Sequence, residues 1–325
     1  MAIQFIENVR RDAKKVNKLV AFPDATDKRT IQACRILADE GIARPALVGA
    51  EKEIREAAEA FGVSIDGVQI FDPAASADLQ KYAQTLYEKR KKKGMTEEEA
   101  EKTMRNPLFF AGMLLENAVV DVVVAGNVSS TGDVLRASIF TVGVAPGVSI
   151  VSSYFIMAFE DRMLCFADCA VNPNPDSKQL ADIAITTAKN FQAVTGQESR
   201  VALLSFSTNG SAEHELVDKV REAAQIVKEK APEIPSDGEM QLDAAIIPSI
   251  GERKFPGSKV AGKANVLVFP DLNAGNIGYK LVERLAGALA VGPIIQGLNK
   301  PYCDLSRGCS ADDMVNVAAI CSLMA

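Results

Sequence analysis

Short apolar runs rich in β-branched and aromatic residues alternate with longer amphipathic stretches along most of this 325-residue chain, and nothing else in it narrows the possible folds as far. A strand followed by a helix can pair with the next strand only in parallel, because the helix carries the chain back over the sheet. LVAFPDA from Leu19, ARPALVGA ending at Ala50, VQIFD from Val68 and VVDVVVAGN from Val119 read as strands. Between them DKRTIQACRILADEG, EKEIREAAEAFG and ADLQKYAQTLYEKRKKKG carry helical periodicity. Gly41, Gly62 and Gly94 stand where helices should stop. The expectation is an α/β fold whose sheet is mainly parallel and covered by helices.

A second series starts near Ser149, with VSIVSSYFIMAF, MLCFADCAV, RVALLSFST, AAIIPS and NVLVFPD read as strands. Only EDR, Glu160 to Arg162, separates the first two, so they are expected to form an antiparallel hairpin within a mixed sheet. The change of pattern sets a domain boundary at Ala145–Gly147, and a return crossing is expected near Lys300 and Pro301. Two α/β domains follow, 1–147 with 302–325 and 148–301, and the length suffices for two self-supporting cores.

Composition excludes several classes of function. Residues are 48% hydrophobic and 24% charged, the balance of a soluble globular protein, and the net charge of -6 offers no basic surface. The single basic run, EKRKKKG, is followed directly by TEEEAEK and reads as a solvated helix end, so nucleic acid is not an expected partner. No apolar run is as long as a membrane span, and MAIQFIENVRRDAKK lacks a signal-peptide core, which gives a cytoplasmic expectation. The six cysteines are scattered and several lie in apolar segments, so reduced thiols are expected. CFADC has three residues between its cysteines and no second Cys or His cluster, hence no expected metal site.

Three segments share the order strand, polar loop, helix, the arrangement in which open α/β sheets present helix N-termini to anions. VVVAGNVSSTGDVLRASI places Ser129, Ser130 and Thr131 before a helix carrying Arg136. Hydroxyls and one guanidinium suit a phosphate, although an N-cap followed by a surface Arg would look the same. VLVFPDLNAGNIGYKL is read with Gly275, Asn276 and Gly278 between strand and helix, and it fits neither dinucleotide nor P-loop spacing. In DLSRGCSADD, Ser310 and Asp313 have capping-box spacing at the start of a helix. Capping leaves Ser306, Arg307 and Gly308 without a role, and a guanidinium ahead of a helix N-terminus is suited to gripping phosphate. The only histidine, His214, opens a polar helix and is expected on the surface, which leaves proton transfer to a carboxylate such as Asp313.

Taken together, DCAVNPNP, LSFSTNGS, VDKVREA, PGSKVAGKANVLVFPDLNAGNIGYK and DLSRGCSADD closely resemble the phosphate acetyltransferase (phosphotransacetylase) family over nearly the whole chain. The resemblance implies reversible acetyl transfer between acetyl phosphate and coenzyme A, with coenzyme A as substrate and no tightly bound cofactor. It also implies two α/β domains similar to the isocitrate and isopropylmalate dehydrogenases, an active site in the interdomain cleft, and a homodimer. Phosphate butyryltransferases share the architecture and are the alternative. A metal- and nicotinamide-dependent hydroxy-acid dehydrogenase of similar fold is the more distant one. Carried over by motif, Ser306 and Arg307 are the active-site pair and Asp313 the base, while Arg136 and Arg90 are tied to substrate binding, the latter with coenzyme A. Ser129, Ser130, Thr131, Asn276, Gly278 and Tyr279 are further binding candidates. The loop departs from many relatives at Ser129, Gly132 and Ala137. The mechanism expected is direct thiolate attack in a ternary complex; the competing one uses Cys309, acidified by Arg307 and a helix start, as an acyl-carrying nucleophile.

Overall fold

The computed structural model describes residues 2–325, leaving aside the side chains of residues 2 and 3. The described residues fall into two compact units, Ile6–Ala145 with Leu298–Ala325, and Pro146–Gly297 with residues 2–5. In chain order the elements are α1 (Ala2–Val16), β1 (Leu19–Phe22), α2 (Lys28–Asp39), β2 (Arg44–Val48), α3 (Glu51–Phe61), β3 (Gln69–Phe71), α4 (Leu79–Arg90), α5 (Glu97–Met104), α6 (Pro107–Glu116), β4 (Val122–Ala125) and α7 (Thr131–Thr141). The second unit holds β5 (Ser152–Ala158), β6 (Met163–Ala167), α8 (Ser177–Thr195), β7 (Val201–Leu204), α9 (Glu215–Lys230), β8 (Ser236–Met240), α10 (Leu242–Ile246), α11 (Pro248–Lys254), β9 (Val266–Val268), α12 (Leu272–Ala286) and β10 (Leu289–Gln296). β11 (Tyr302–Asp304) and α13 (Ala311–Met324) return to the first unit.

The first sheet runs β11-β4-β1-β2-β3 and every pairing in it is parallel. Its central strands are apolar throughout, as a sheet covered on both faces requires: Val122–Ala125 is buried at every position. α6 is apolar all round, with Leu108–Leu115 entirely buried, so burial holds it rather than its own short-helix propensity. Each large side chain there contributes roughly 2 kcal/mol. Gly112 lets α6 approach α7, since any Cβ would collide with Thr141.

The second sheet runs β10-β5-β6-β9-β7-β8. β5 and β6 form the antiparallel hairpin expected across EDR, closed by a bond from the Phe159 amide to the Arg162 carbonyl at 2.9 Å. β10 pairs antiparallel with β5, and the other pairings are parallel. The architecture is therefore α/β with mainly parallel sheets, one of them mixed.

One reading of this unit changes. AAIIPS is helical, not a strand: Ala244 and Ala245 are buried in α10, and Pro248 opens α11, where its missing N–H costs nothing. A run this short has no period that separates a buried helix from a buried strand. The polar SDGEM is a strand, β8, because its charges are neutralised in place. Glu239 takes bonds from Ser207 Oγ (2.9 Å), the Gly210 amide (2.8 Å) and Arg221, while Asp237 takes them from Lys228 and Ser258.

Candidate active site

β11, β4 and β1 are neighbours in the first sheet, so their carboxyl ends bring three loops and three helix N-termini to one edge. Asp27 caps α2, Ser130 caps α7 and Ser310 caps α13, each side chain accepting from a backbone amide of the first turn. Three helix starts side by side concentrate partial positive charge and free amides, an environment that favours anions.

Long-range bonds lock these loops together. The Arg29 guanidinium donates to the carbonyls of Arg307 (2.7 Å), Cys309 (3.0 Å) and Asn127 (2.9 Å), and Asp27 fixes its other edge. Asp24 accepts from the amides of Gly126 (2.8 Å), Val128 and Ser129 and from the Ser129 hydroxyl. Asn127 Nδ2 reaches Thr30 Oγ1 at 3.0 Å. Neither Arg29 nor Asp24 is singled out by the sequence reading. The available signal is their place just after the strand next to β4, where a half-buried guanidinium or carboxylate can reach two loops at once.

Ser306, Arg307 and Gly308 are exposed on the β11–α13 loop. Ser306 Oγ accepts from the Gly308 amide at 3.3 Å, and its proton remains free to be donated outward. The Arg307 guanidinium makes no hydrogen bond or ion pair among the described residues, although its carbonyl is fixed by Arg29. Asp313 lies in the first turn of α13, where its Oδ2 accepts from the Ser310 amide and hydroxyl, both at 2.8 Å. Oδ1 takes no bond among the described residues. The neighbouring Asp312 turns instead to Arg10, at 2.6 Å.

The three hydroxyls of the β4–α7 loop serve the loop itself. Ser129 donates to Asp24, Ser130 to Asp133 (2.7 Å) and Thr131 to Asp304 (2.7 Å). Arg136, exposed on α7, pairs with Asp133 at 3.3 Å. Arg90, at the end of α4, lays its guanidinium 3.6 Å from the centre of the Phe140 ring. Phe140 follows Arg136 by one helical turn, so Arg90 of α4 packs on the face of α7 that carries Arg136.

Asn276, Gly278 and Tyr279 belong to the second unit, and Gly275, Asn276 and Gly278 lie within α12 rather than between strand and helix. The reason is Asp271, which caps α12 and starts it four residues before Gly275. Gly275 sits where any Cβ would collide with the Asp168 carbonyl, and Gly278 packs on the Phe269 ring. Asn276 donates to the Cys169 carbonyl at 2.9 Å, and Tyr279 stacks on Phe155 with ring centres 4.1 Å apart.

Two groups bear on proton and acyl transfer. Burial pushes the Cys309 thiol up to about 11, against the pull of Arg29 and with the charges of Asp313 and Asp27 adding to the rise. This is opposite to the acidified thiol a covalent mechanism requires. His214 caps α9, its Nδ1 accepting from the Leu216 amide at 3.1 Å.

A model of the phosphate acetyl/butaryl transferase family matches residues 4–322. The phosphate acetyltransferase of Clostridium acetobutylicum is 49% identical over 324 residues, 98% of this chain and 97% of that one. A phosphotransacetylase from Streptococcus pyogenes superposes with a TM-score of 0.95 at 38% identity, covering 100% of this chain and 98% of the other. A 4-hydroxythreonine-4-phosphate dehydrogenase from Klebsiella pneumoniae shares the fold alone, with a TM-score of 0.55 and 12% identity over 94% of this chain and 98% of that one. The match spans both units and includes the DLSRGCSADD loop at the edge of the first sheet, and the chain belongs to the phosphate acetyl/butaryl transferase family.

Proposed function

We infer that the chain is a phosphate acetyltransferase that moves an acetyl group reversibly between acetyl phosphate and coenzyme A, by direct attack of the coenzyme A thiolate in a ternary complex. The observation that carries this reading is Arg307: a guanidinium without a hydrogen bond or ion pair among the described residues, on a loop clamped by Arg29 beside helix N-termini. Such a group is ready for a doubly charged phosphate.

A thiol near the usual 8.5 is only a few per cent ionised at neutral pH, so a base raises the reactive fraction. Asp313 supplies it through Oδ1, while Oδ2 stays in the cap. The thiolate adds to the acetyl carbonyl and Ser306 Oγ–H donates to the developing oxyanion. As the tetrahedral adduct collapses, the carbon–oxygen bond to phosphate breaks and Arg307 holds the departing anion. Arg136 and Arg90 bind the substrates, Arg90 through coenzyme A. Ser129, Ser130 and Thr131 act by shaping the loop that offers its amides. Asn276, Gly278 and Tyr279 support the second unit's wall of the site through the packing of α12.

The reading extends to two domains, 1–147 with 302–325 and 148–301, in a dehydrogenase-like arrangement with the substrates in the cleft. It also includes a homodimer and a cytoplasmic enzyme. Support for the dimer comes from Ile277, Leu281 and Leu285, which form an apolar stripe one turn apart along α12 and are 57%, 50% and 80% exposed. No helix among the described residues is long and apolar enough to cross a membrane.

Incubation with acetyl phosphate and coenzyme A should produce thioester absorbance, more strongly than butyryl phosphate does. Thioester from butyryl phosphate alone would move the assignment to butyryl transfer, and none from either would reject it. Cys309→Ala should keep turnover within a few fold, because the raised thiol has no covalent role; ping-pong kinetics would restore one.

A further inference from the structure

Asp304 closes β11 one residue before the Leu305–Ser306–Arg307 turn and is only 1% exposed. Its Oδ2 accepts the Thr131 hydroxyl at 2.7 Å, and the Leu305 amide also donates to the carboxyl. Oδ1 is buried with no hydrogen-bond partner among the described residues. Gly126 faces that oxygen so closely that any Cβ would collide with it and with the Leu305 backbone. The ionisable groups facing the carboxyl are Arg307 from its own loop, Asp24 from the loop after β1, and the Tyr302 phenol.

A carboxylate so placed is a poor structural choice. A buried oxygen that accepts nothing from the described residues is a liability, and an amide could hold Thr131 and Leu305 without bringing a charge. What only the carboxylate provides is a negative charge that acts on Arg307, joined to a bond that ties β11 to the first residue of α7. We propose that Asp304 is a positioning residue for acyl transfer, holding the Ser306–Arg307 turn against the start of α7 through Thr131 and orienting the Arg307 guanidinium by its charge. This role rests on the acyl-transfer reading and adds to it a residue that touches neither substrate.

The charge is conditional. Burial pushes the carboxyl up to about 6 and Asp24 adds to the rise, while Thr131, the Leu305 amide and Arg307 oppose it. Asp304 is therefore ionised above that pH and neutral below it, so the turn loses its counter-charge as the medium becomes acidic.

The test compares initial rates of thioester formation for the full chain and for Asp304→Asn, Thr131→Val and Thr131→Ser, from pH 5 to 8.5, alongside melting temperatures. In the unsubstituted protein kcat should fall on the acid side through an inflection near pH 6. Asp304→Asn should lower kcat at pH 8 about tenfold to a hundredfold, leave KM for both substrates within about threefold and lose that inflection, because a misplaced catalytic group harms the transition state most. It should also melt higher at pH 8, an outcome that a merely structural carboxylate would reverse. Thr131→Val should lose kcat with KM kept, and Thr131→Ser should lose less. Undiminished kcat in Asp304→Asn, or an inflection that survives the substitution, overturns the proposal. If Asp304→Asn does not fold, undiminished kcat in Thr131→Val overturns it equally. An unsubstituted protein that forms no thioester rejects the acyl-transfer reading and this role with it, whereas an active protein beside unaffected variants rejects the role alone.

Discussion

Asp168 in one unit and Asp304 in the other are buried carboxylates just at or after a strand end, and the two are treated in opposite ways. Asp168, just after β6, is 3% exposed and accepts from the amides of Ser153, Ala170, Val171 and Asn172, the Ser153 hydroxyl and Asn172 Nδ2. Asp304, at the end of β11, is as deeply buried but leaves one oxygen with no hydrogen-bond partner among the described residues. A charge surrounded by donors organises a turn and stabilises it. A buried charge left half-satisfied stabilises nothing by itself, and its persistence points to work done on a neighbour, here Arg307.

Substitutions that break the contrast differ in size and in sign. The largest effect belongs to the loop that Asp304 serves: Ser306→Ala should lower turnover about a hundredfold to a thousandfold, equivalent to roughly 3–4 kcal/mol of transition-state stabilisation, with melting unchanged. Steady-state rates check it, and a loss confined to coenzyme A affinity would reject the oxyanion role. At the saturated site, Asp168→Asn should destabilise the fold by about 3 kcal/mol in denaturant titrations, because several donors lose a charged acceptor at once. Asp304→Asn should do the reverse at pH 8. Its carboxyl is raised from 3.8 to about 6, so the folded state holds the proton more tightly than the unfolded one. The penalty of ionising it is absent below about pH 4, grows as pH rises to 6 and is constant above, so removing the charge should add about 3 kcal/mol at pH 8 and almost nothing at pH 4. A stabilisation that does not depend on pH would show that the charge is not its source. The smallest effects come from two glycines. Gly275→Ala forces a methyl into the Asp168 carbonyl and should cost about 1–3 kcal/mol, whereas Gly308→Ala, with only Ser306 Oγ nearby at 3.9 Å, should stay within about 0.5 kcal/mol.

Those glycines also mark how far sequence reading reached. LNAGNIGY and LSRGCSADD both look like loops with room for a ligand, but Asp271 draws the first into a helix packed on Phe269 and Phe155, while Ser310 starts its helix only after the SRG turn. The difference lies in which polar residue wins the cap, and that depends on tertiary packing. Strands rich in Val, Leu and Ile were legible because parallel sheets bury both faces. β8 was not, because SDGEM becomes a strand only once Arg221, Lys228 and Ser258 have neutralised it, and each of those lies elsewhere in the chain. Ser306, Arg307 and Asp313 stood out as residues that capping left over or shared. Arg29 and Asp304 did not, since their roles exist only where β1, β4 and β11 lie side by side.

The order in which the chain emerges gives the Arg29 clamp another meaning. Its partners at Arg307 and Cys309 are 278 and 280 residues away, and β11 pairs with β4 only after the whole second unit has been synthesised. Until then β4 is an open sheet edge of four apolar residues, the kind of template that captures foreign strands. A nascent chain on the ribosome therefore leaves that edge unpaired by β11 for as long as Pro146–Gly297 takes to translate, and the clamped loops are a mark that translation has passed that point.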